Sequence, residues 1–345
     1  MTIKEVAKIC GVSPATVSNV INGKHKAGNE TTRKILDVIK ENDYHPNQIA
    51  QGLRRQSTRL VGLLAEDMTM FSTPLIIDGI VRFCEENGYN VILENMRLYA
   101  RWQDSWFHNN QKYQSALQPA IRELMSLRVD GMIYIAGHER IVEGFDELPV
   151  PTVAAYTYTT NPRVPAVVID DEKGGYEITD HLIRMGHRKI GVLAGEMDNL
   201  HAQARIRGYQ KALFENGLLC DLDLIHYCAW NREAGYQAAG LFSGSGVTAI
   251  FCFSDQIAGG VYDYMHAHNM EVGKDISVAG YDDQVMAEYL YPSLTTMKLP
   301  LFDIGYHSAQ KLIQLLSGEK PGEPDVEKLS CKMILRDSVS SLNIE

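Results

Sequence analysis

Ile3, Val6, Ala7 and Cys10 fall at i, i+3, i+4 and i+7, a spacing that predicts one amphipathic helix. Thr2 and Glu5 stand three apart at its start, as in a capping box. Gly11 offers a left-handed stop, and Ser13-Pro14 restarts a helix at once, Ser as N-cap and Pro in the first turn. This second helix takes in Thr16, Val17, Ser18, Asn19, Val20 and Ile21 and ends near Asn22-Gly23. A third, from roughly Thr31 to Asn42, turns Ile35, Leu36 and Ile39 inward. Two short helices split by a Gly-containing tight turn are the helix-turn-helix signature.

From Leu60 onward the pattern changes. Apolar runs rich in β-branched residues, such as Leu60–Ala65, Gly131–Ala136, Ala166–Asp170, Lys189–Gly195 and Ala249–Ser254, predict strands. Stretches such as Leu75–Asn87, Tyr176–Met185, Ala204–Asn216 and Gln256–His268 predict the helices between them. Such alternation means parallel sheets covered on both faces. It comes in two blocks, roughly 60–160 and 165–290, which predicts two similar lobes. Ligands of open α/β sheets bind beyond the carboxyl ends of the strands, so a cleft between the lobes is the expected pocket.

Charge sharpens the division. The net charge of -10 belongs to the whole chain. Residues 1–59 carry ten Lys and Arg against five Asp and Glu, +5, which leaves -15 on the remainder. A basic end on an acidic body is the footprint of a DNA-contacting head. The six cysteines form no C-x-x-C pair and read as reduced core residues, which points to the cytoplasm. No apolar stretch reaches the ~20 residues of a membrane span, and the N-terminus lacks the apolar region of a secretory signal. Motifs of hydrolases, zinc proteases and nucleotide-binding loops are missing, and the histidines show no ligand spacing, so the chain reads as no enzyme and calls for no cofactor or metal.

In a helix-turn-helix the second helix enters the major groove with its N-terminal residues toward the bases. That nominates Pro14, Ala15, Thr16, Ser18 and Asn19. Asn19 can pair bidentately with adenine and Ala15 can touch a thymine methyl, while Thr16 and Ser18 suit phosphate. From pattern alone, a three-helix protein-docking module is the alternative.

The run Ile3-Lys4-Glu5-Val6-Ala7, Gly11-Val12-Ser13-Pro14-Ala15-Thr16-Val17-Ser18 and Val20-Ile21-Asn22-Gly23 resembles the opening of the lactose/galactose repressor (LacI/GalR) family. Tyr44-His45-Pro46-Asn47-Gln48-Ile49-Ala50-Gln51-Gly52-Leu53-Arg54 resembles the hinge helix of that family, with Gln51 and Gly52 departing from its pattern. The resemblance implies that Asn47, Ala50, Leu53 and Arg54 contact DNA, Leu53 as a wedge into a minor-groove base step. The alternative is that 47–58 is only a linker. The likeness continues through Met185-Gly186-His187-Arg188-Lys189-Ile190-Gly191, Arg205-Ile206-Arg207-Gly208-Tyr209, Phe253-Ser254-Asp255-Gln256 and Ile276-Ser277-Val278-Ala279-Gly280-Tyr281-Asp282-Asp283.

It implies an all-α helix-turn-helix head on an α/β periplasmic-binding-protein-like core of two doubly wound parallel-sheet lobes. The divisions are 1–46 for the head, 47–59 for hinge and linker, 60–162 plus 295–320 for the first lobe, and 163–294 plus 321–345 for the second. The crossings then fall near 161–164, 290–295 and 318–324. It also implies an effector pocket. Arg205 and Asp255 match the family's effector-binding arginine and acid, and Trp230 stands where sugar-binding members carry an aromatic. Asp255 as a simple helix cap and Trp230 as plain core are the alternatives. Ser72 and Thr73 replace paired aromatics at the first-lobe lip and offer hydroxyls to the effector.

An insert from Arg97 to Ser115 carries Tyr99, Trp102, Trp106, Phe107 and Tyr113. Trp102 and Trp106, i and i+4, would share a helix face. The insert reads as packing on its own lobe, as a lid, or as a dimer or partner surface. The resulting expectation is a homodimeric or larger repressor of carbohydrate genes. It would bind pseudo-palindromic double-stranded operator DNA under control of a sugar or sugar-derived effector. Two alternatives stand: a global catabolite regulator answering to a phosphocarrier protein, and a periplasmic-type solute-binding protein.

Overall fold

The computed structural model describes residues 1–21, 27–42, 57–145, 148–320, 322 and 325–342. The chain divides into two units, Met1–Arg59 and Leu60–Glu345. In the first, helices Ile3–Cys10, Pro14–Ile21 and Asn29–Glu41 enclose Val6, Ala7, Cys10, Val17 and Ile35. Both halves of the capping box form: Thr2 N–H donates to Glu5 Oε2 at 2.7 Å and Glu5 N–H to Thr2 Oγ1 at 3.4 Å. Gly11 adopts φ 72, and the Val12 N–H returns to the Ala7 carbonyl at 3.0 Å, an αL stop that a side chain would strain. The third helix starts two residues earlier than the pattern predicts, at Asn29, behind Gly28.

Among the described residues the body holds two large parallel sheets and two two-stranded pairs. Its strands are β1 Leu60–Ala65, β2 Asn90–Asn95, β3 Gly131–Ile135, β4 Ile141–Val142, β5 Thr152–Ala155, β6 Tyr158–Thr159, β7 Ala166–Ile169, β8 Ile190–Leu193, β9 Ile225–His226, β10 Ala249–Cys252, β11 Ser277–Ala279, β12 Thr296–Lys298, β13 Val326–Leu329 and β14 Lys332–Ile334. The first sheet has the order β13-β7-β5-β3-β1-β2 and the second β11-β10-β8-β9, with the pairs β4-β6 (parallel) and β12-β14 (antiparallel) beside them. β1 is buried on both faces. Val61, Leu63 and Ala65 share one core with Ile76, Ile80 and Ile304, and Leu64 meets Leu117 and Leu124 on the other side. This is why its sequence runs apolar without alternation.

β7 and β13 are hydrogen-bonded members of the first sheet. The chain therefore leaves that sheet at Asp170 and Ser330, later than the crossings expected near 161–164 and 318–324. The third passage is β12, which touches the second sheet through the bridges Ala279–Thr295 and Asp282–Lys298 and pairs antiparallel with β14.

Three helix pairs in the body cross at reciprocal glycines. A Cβ on Gly79 would meet Phe302 O at 2.0 Å, and one on Gly305 would meet Ile76 O at 1.9 Å. Gly175 and Gly208 pair Asp171–Arg184 with Leu200–Glu215 in the same way, as Gly235 and Gly260 pair Arg232–Ala239 with Asp255–Ala267. Without side chains at the crossing, backbones approach closely, and the flanking side chains are carried inward.

The insert is not one helix. Leu98–Trp102 stops at Gln103, which takes φ 50, and a single 3-10 turn follows over Gln103–Trp106. Trp102 and Trp106 therefore share no continuous helix, though both meet the same core, Trp106 buried and Trp102 half-buried. No described helix is long and apolar enough to cross a membrane.

Candidate functional site

Helix Pro14–Ile21 begins on a side-chain cap. Ser13 Oγ accepts from Thr16 N–H at 3.1 Å and lies 2.9 Å from Thr16 Oγ1. Val17 is buried, Val20 and Ile21 pack beside it, and helical spacing sets Ala15, Ser18 and Asn19 on another face. Pro14 and Ala15 are exposed; Thr16, Ser18 and Asn19 are half-buried. The nominated residues thus lie on one short, capped helix, with Thr16 also serving its N-terminus. Asn47, Ala50, Leu53 and Arg54 lie outside the described residues.

In the body, Arg205 is the centre of a buried polar cluster. Its Nε donates to Asp171 Oδ1 at 2.7 Å, and its Nη1 donates to the Phe253 carbonyl and stands 4.0 Å from Asp282 Oδ1. The guanidinium lies 3.6 Å from the ring centre of Tyr281 and 5.9 Å from that of Trp230. The Gly175–Gly208 crossing brings the Arg205 backbone in: a Cβ at Gly175 would sit 2.5 Å from Arg205 O. Burial alone would raise Asp171, but Arg205 and His201 outweigh it and hold this carboxyl well below the usual range.

His201, one turn before Arg205 on the same helix, carries the cluster to the first lobe. Its Nδ1 faces Asp171 Oδ2 at 2.6 Å, and its Nε2 accepts from Glu139 N–H at 2.9 Å. An Nε2 that accepts puts the ring proton on Nδ1, so Nδ1–H donates to Asp171. Glu139 belongs to the loop after β3, which makes this a bond between lobes. Burial, then the Asp171 carboxylate, push Glu139 up to about 8 against the pull of Lys328, Arg205 and Tyr158. Asp282 is pushed up to about 7, chiefly by burial.

The other nominated residues divide. Trp230 is half-buried with its ring against Gly195, where a Cβ would come within 2.2 Å of it, and its buried Nε1 has no partner among the described residues. Asp255 is fully buried and does not cap its helix; Ser254 does. Its Oδ1 accepts from Thr296 Oγ1 at 2.6 Å and its Oδ2 from Gln284 N–H at 2.7 Å. It therefore ties the β12 passage to the turn that carries Asp282. Asp282, with φ 111, is the carboxylate set beside Arg205. Ser72 Oγ is committed to the Gly137 carbonyl at 2.9 Å, while Thr73 Oγ1 is buried without a partner among the described residues.

Glu139, Asp171, His201 and Asp282 were not singled out as site residues by the sequence reading. Two signals were present: His201 stands i, i+4 from Arg205 on one helix, and Asp171 opens the helix that carries Gly174-Gly175.

The insert turns its aromatics inward. Trp106 and Tyr113 hold the Arg140 guanidinium at 4.8 and 4.9 Å from their ring centres, and Arg140 pairs with the buried Glu66. Tyr134 OH and the Gly137 N–H also donate to Glu66. Beyond this cage, His108 reaches Asp198 of the second lobe at 3.5 Å.

Residues 2–47 match the family described as bacterial regulatory proteins, lacI family, and residues 179–339 match a periplasmic binding protein-like domain. The HTH-type transcriptional regulator RegA of Clostridium saccharobutylicum is 34% identical over 342 residues, 98% of each chain. The ribose operon repressor of Haemophilus influenzae is 30% identical over 99% of each. The lac repressor dimer bound to operator and the anti-inducer ONPF superposes with a TM-score of 0.78 at 24% identity, covering 99% of both chains, a likeness of fold. A capped helix-turn-helix, two parallel-sheet lobes and full-length similarity to such regulators converge: the chain is a DNA-binding transcriptional regulator and belongs to the LacI family.

Proposed function

We propose that the chain represses carbohydrate uptake or metabolism genes in the cytoplasm, binding a pseudo-palindromic operator as a homodimer, with a sugar or sugar-like effector in the body cleft setting operator affinity. The observation that carries this reading is the buried line Asp282, Arg205, Asp171, His201, Glu139, whose last link crosses between lobes. A ligand that engages Arg205 and Asp282 changes the partners of this line and so favours one lobe arrangement over another. The chemistry suits a polyol: a guanidinium fork, a carboxylate acceptor and an indole face stand together. The name of the ribose operon repressor and the operator-bound lac repressor dimer support the same reading. Asn19 reads one base of each half-site, and Leu53 wedges the operator centre. No observation favours a phosphocarrier partner, because Trp106 and Tyr113 are buried against Arg140.

Selection of bound sequences from random duplex with the full-length protein tests the reading, followed by affinity titration across a panel of sugars. The expected result is one preferred palindrome whose affinity one sugar changes, with Asp282→Asn keeping the palindrome and losing the sugar response. A protein without sequence preference, or an Asp282→Asn variant with an unaltered response, would overturn it.

A further inference from the structure

The polar cluster has more carboxyl groups than cations. Three carboxyls, Glu139, Asp171 and Asp282, stand around one guanidinium, Arg205, whose short contact is with Asp171. His201 adds no positive charge, since its Nε2 accepts the Glu139 N–H. Lys328 faces Glu139 from β13 but is exposed, so solvent screens it. Tyr158 contributes a side-chain hydrogen bond to the Glu139 carboxyl and Tyr156 a buried hydroxyl nearby, and neither is a cation. Glu139 is 5% exposed, and its Oε2 is buried with no hydrogen-bond partner among the described residues. This oxygen belongs to a carboxyl whose ligand atom lies within 4.8 Å of those of Asp171 and His201, at the seam of the two lobes. A buried carboxyl oxygen in that position calls for a donor, and a cationic donor would stabilise the carboxyl in its ionised form.

We propose that the effector selected by this cleft carries a protonated amine beside its hydroxyls, as an amino sugar or amino polyol does, and that Glu139 is the specificity-determining residue that receives the ammonium. The inference rests on the cleft being the effector site. An ammonium brings several donors and one positive charge to Glu139. A phosphate ester would meet three carboxyl groups and a single guanidinium that Asp171 already pairs. A bare divalent cation would find both His201 nitrogens already engaged, leaving it carboxylate oxygens alone. Receipt of the ammonium ionises Glu139, so binding near neutral pH releases a proton to solvent.

The test uses the full-length protein with glucosamine, N-acetylglucosamine, glucose and glucose 6-phosphate, the corresponding ribose and galactose series, and Mn²⁺ alone. Calorimetry in buffers of differing ionisation enthalpy measures both affinity and proton release. One amino sugar is expected to bind at least about tenfold more tightly than its N-acetyl and neutral counterparts, with proton release. Glu139→Gln should erase that preference, bringing the amino sugar to within about twofold of its neutral counterpart on the same variant. Glu139→Asp, which keeps the charge, should retain part of the preference. A neutral sugar, a phosphate ester or Mn²⁺ binding as tightly as the amine, or a preference untouched in Glu139→Gln, overturns the proposal and leaves the cleft reading standing. A panel in which nothing binds overturns both.

Discussion

Single side chains in the cleft behave according to what surrounds them. Asp171 and Glu139 are both buried carboxyls, yet the first is held low by Arg205 and His201 while the second is pushed up to about 8. A carboxyl raised on folding binds its proton more tightly in the native state. Its contribution is full below the unfolded value near 4.5 and is lost as pH climbs toward about 8. Asp282, pushed up to about 7, acts in the same direction. Buried histidines work the other way: His138 is lowered to about 3 by burial, so native stability gains as pH rises toward 6.5. The Glu139 effect is isolated by comparing Glu139→Gln with the parent protein. The melting temperature of the variant relative to the parent should rise between pH 5 and pH 8; a difference constant with pH would show that Glu139 does not titrate there.

At the scale of elements, the glycine crossings do the positioning. Gly175 lets helix Leu200–Glu215 approach until Arg205 reaches Asp171, and Gly208 answers from the other side, where a Cβ would meet Glu172 O at 2.1 Å. Gly175→Ala forces backbone against backbone. It should cost about 1–3 kcal/mol or more, read as a lower urea midpoint, and should weaken effector binding with operator recognition retained. Parent-like stability would mean that the two helices part without cost. The head offers a milder case: Thr2→Ala removes one arm of the capping box and should cost about 1 kcal/mol.

For the molecule as a whole, charge is divided by task. Residues 1–59, head with hinge and linker, carry +5 and the remainder -15, so operator affinity should fall steeply with salt. A head making six or more phosphate contacts per site loses about a thousandfold or more between 50 and 200 mM salt. Fluorescence anisotropy on the selected operator measures this, and a flat salt response would remove the electrostatic account of the head. The buried bond from the Glu139 N–H to His201 joins the lobes, which makes lobe arrangement the quantity a ligand can shift.

The amino-acid sequence determined by itself the helix-turn-helix, its caps, the strand–helix alternation and the division into head and body. Each is a local matter of spacing, capping chemistry and hydrophobic period. Arg205 and Trp230 were nominated through motif resemblance, and the fold sets the guanidinium 5.9 Å from the indole ring centre. Only the tertiary structure decided which acids face them. Asp255 and Asp282 are 27 positions apart in the chain and look alike in it, but Thr296 of β12 and the Gln284 N–H occupy the two oxygens of the first, and the second is left beside Arg205. Glu139 and His201 are 62 positions apart, and no periodicity connects them. Their meeting depends on two lobes closing on each other, a long-range packing result that a one-dimensional pattern does not encode.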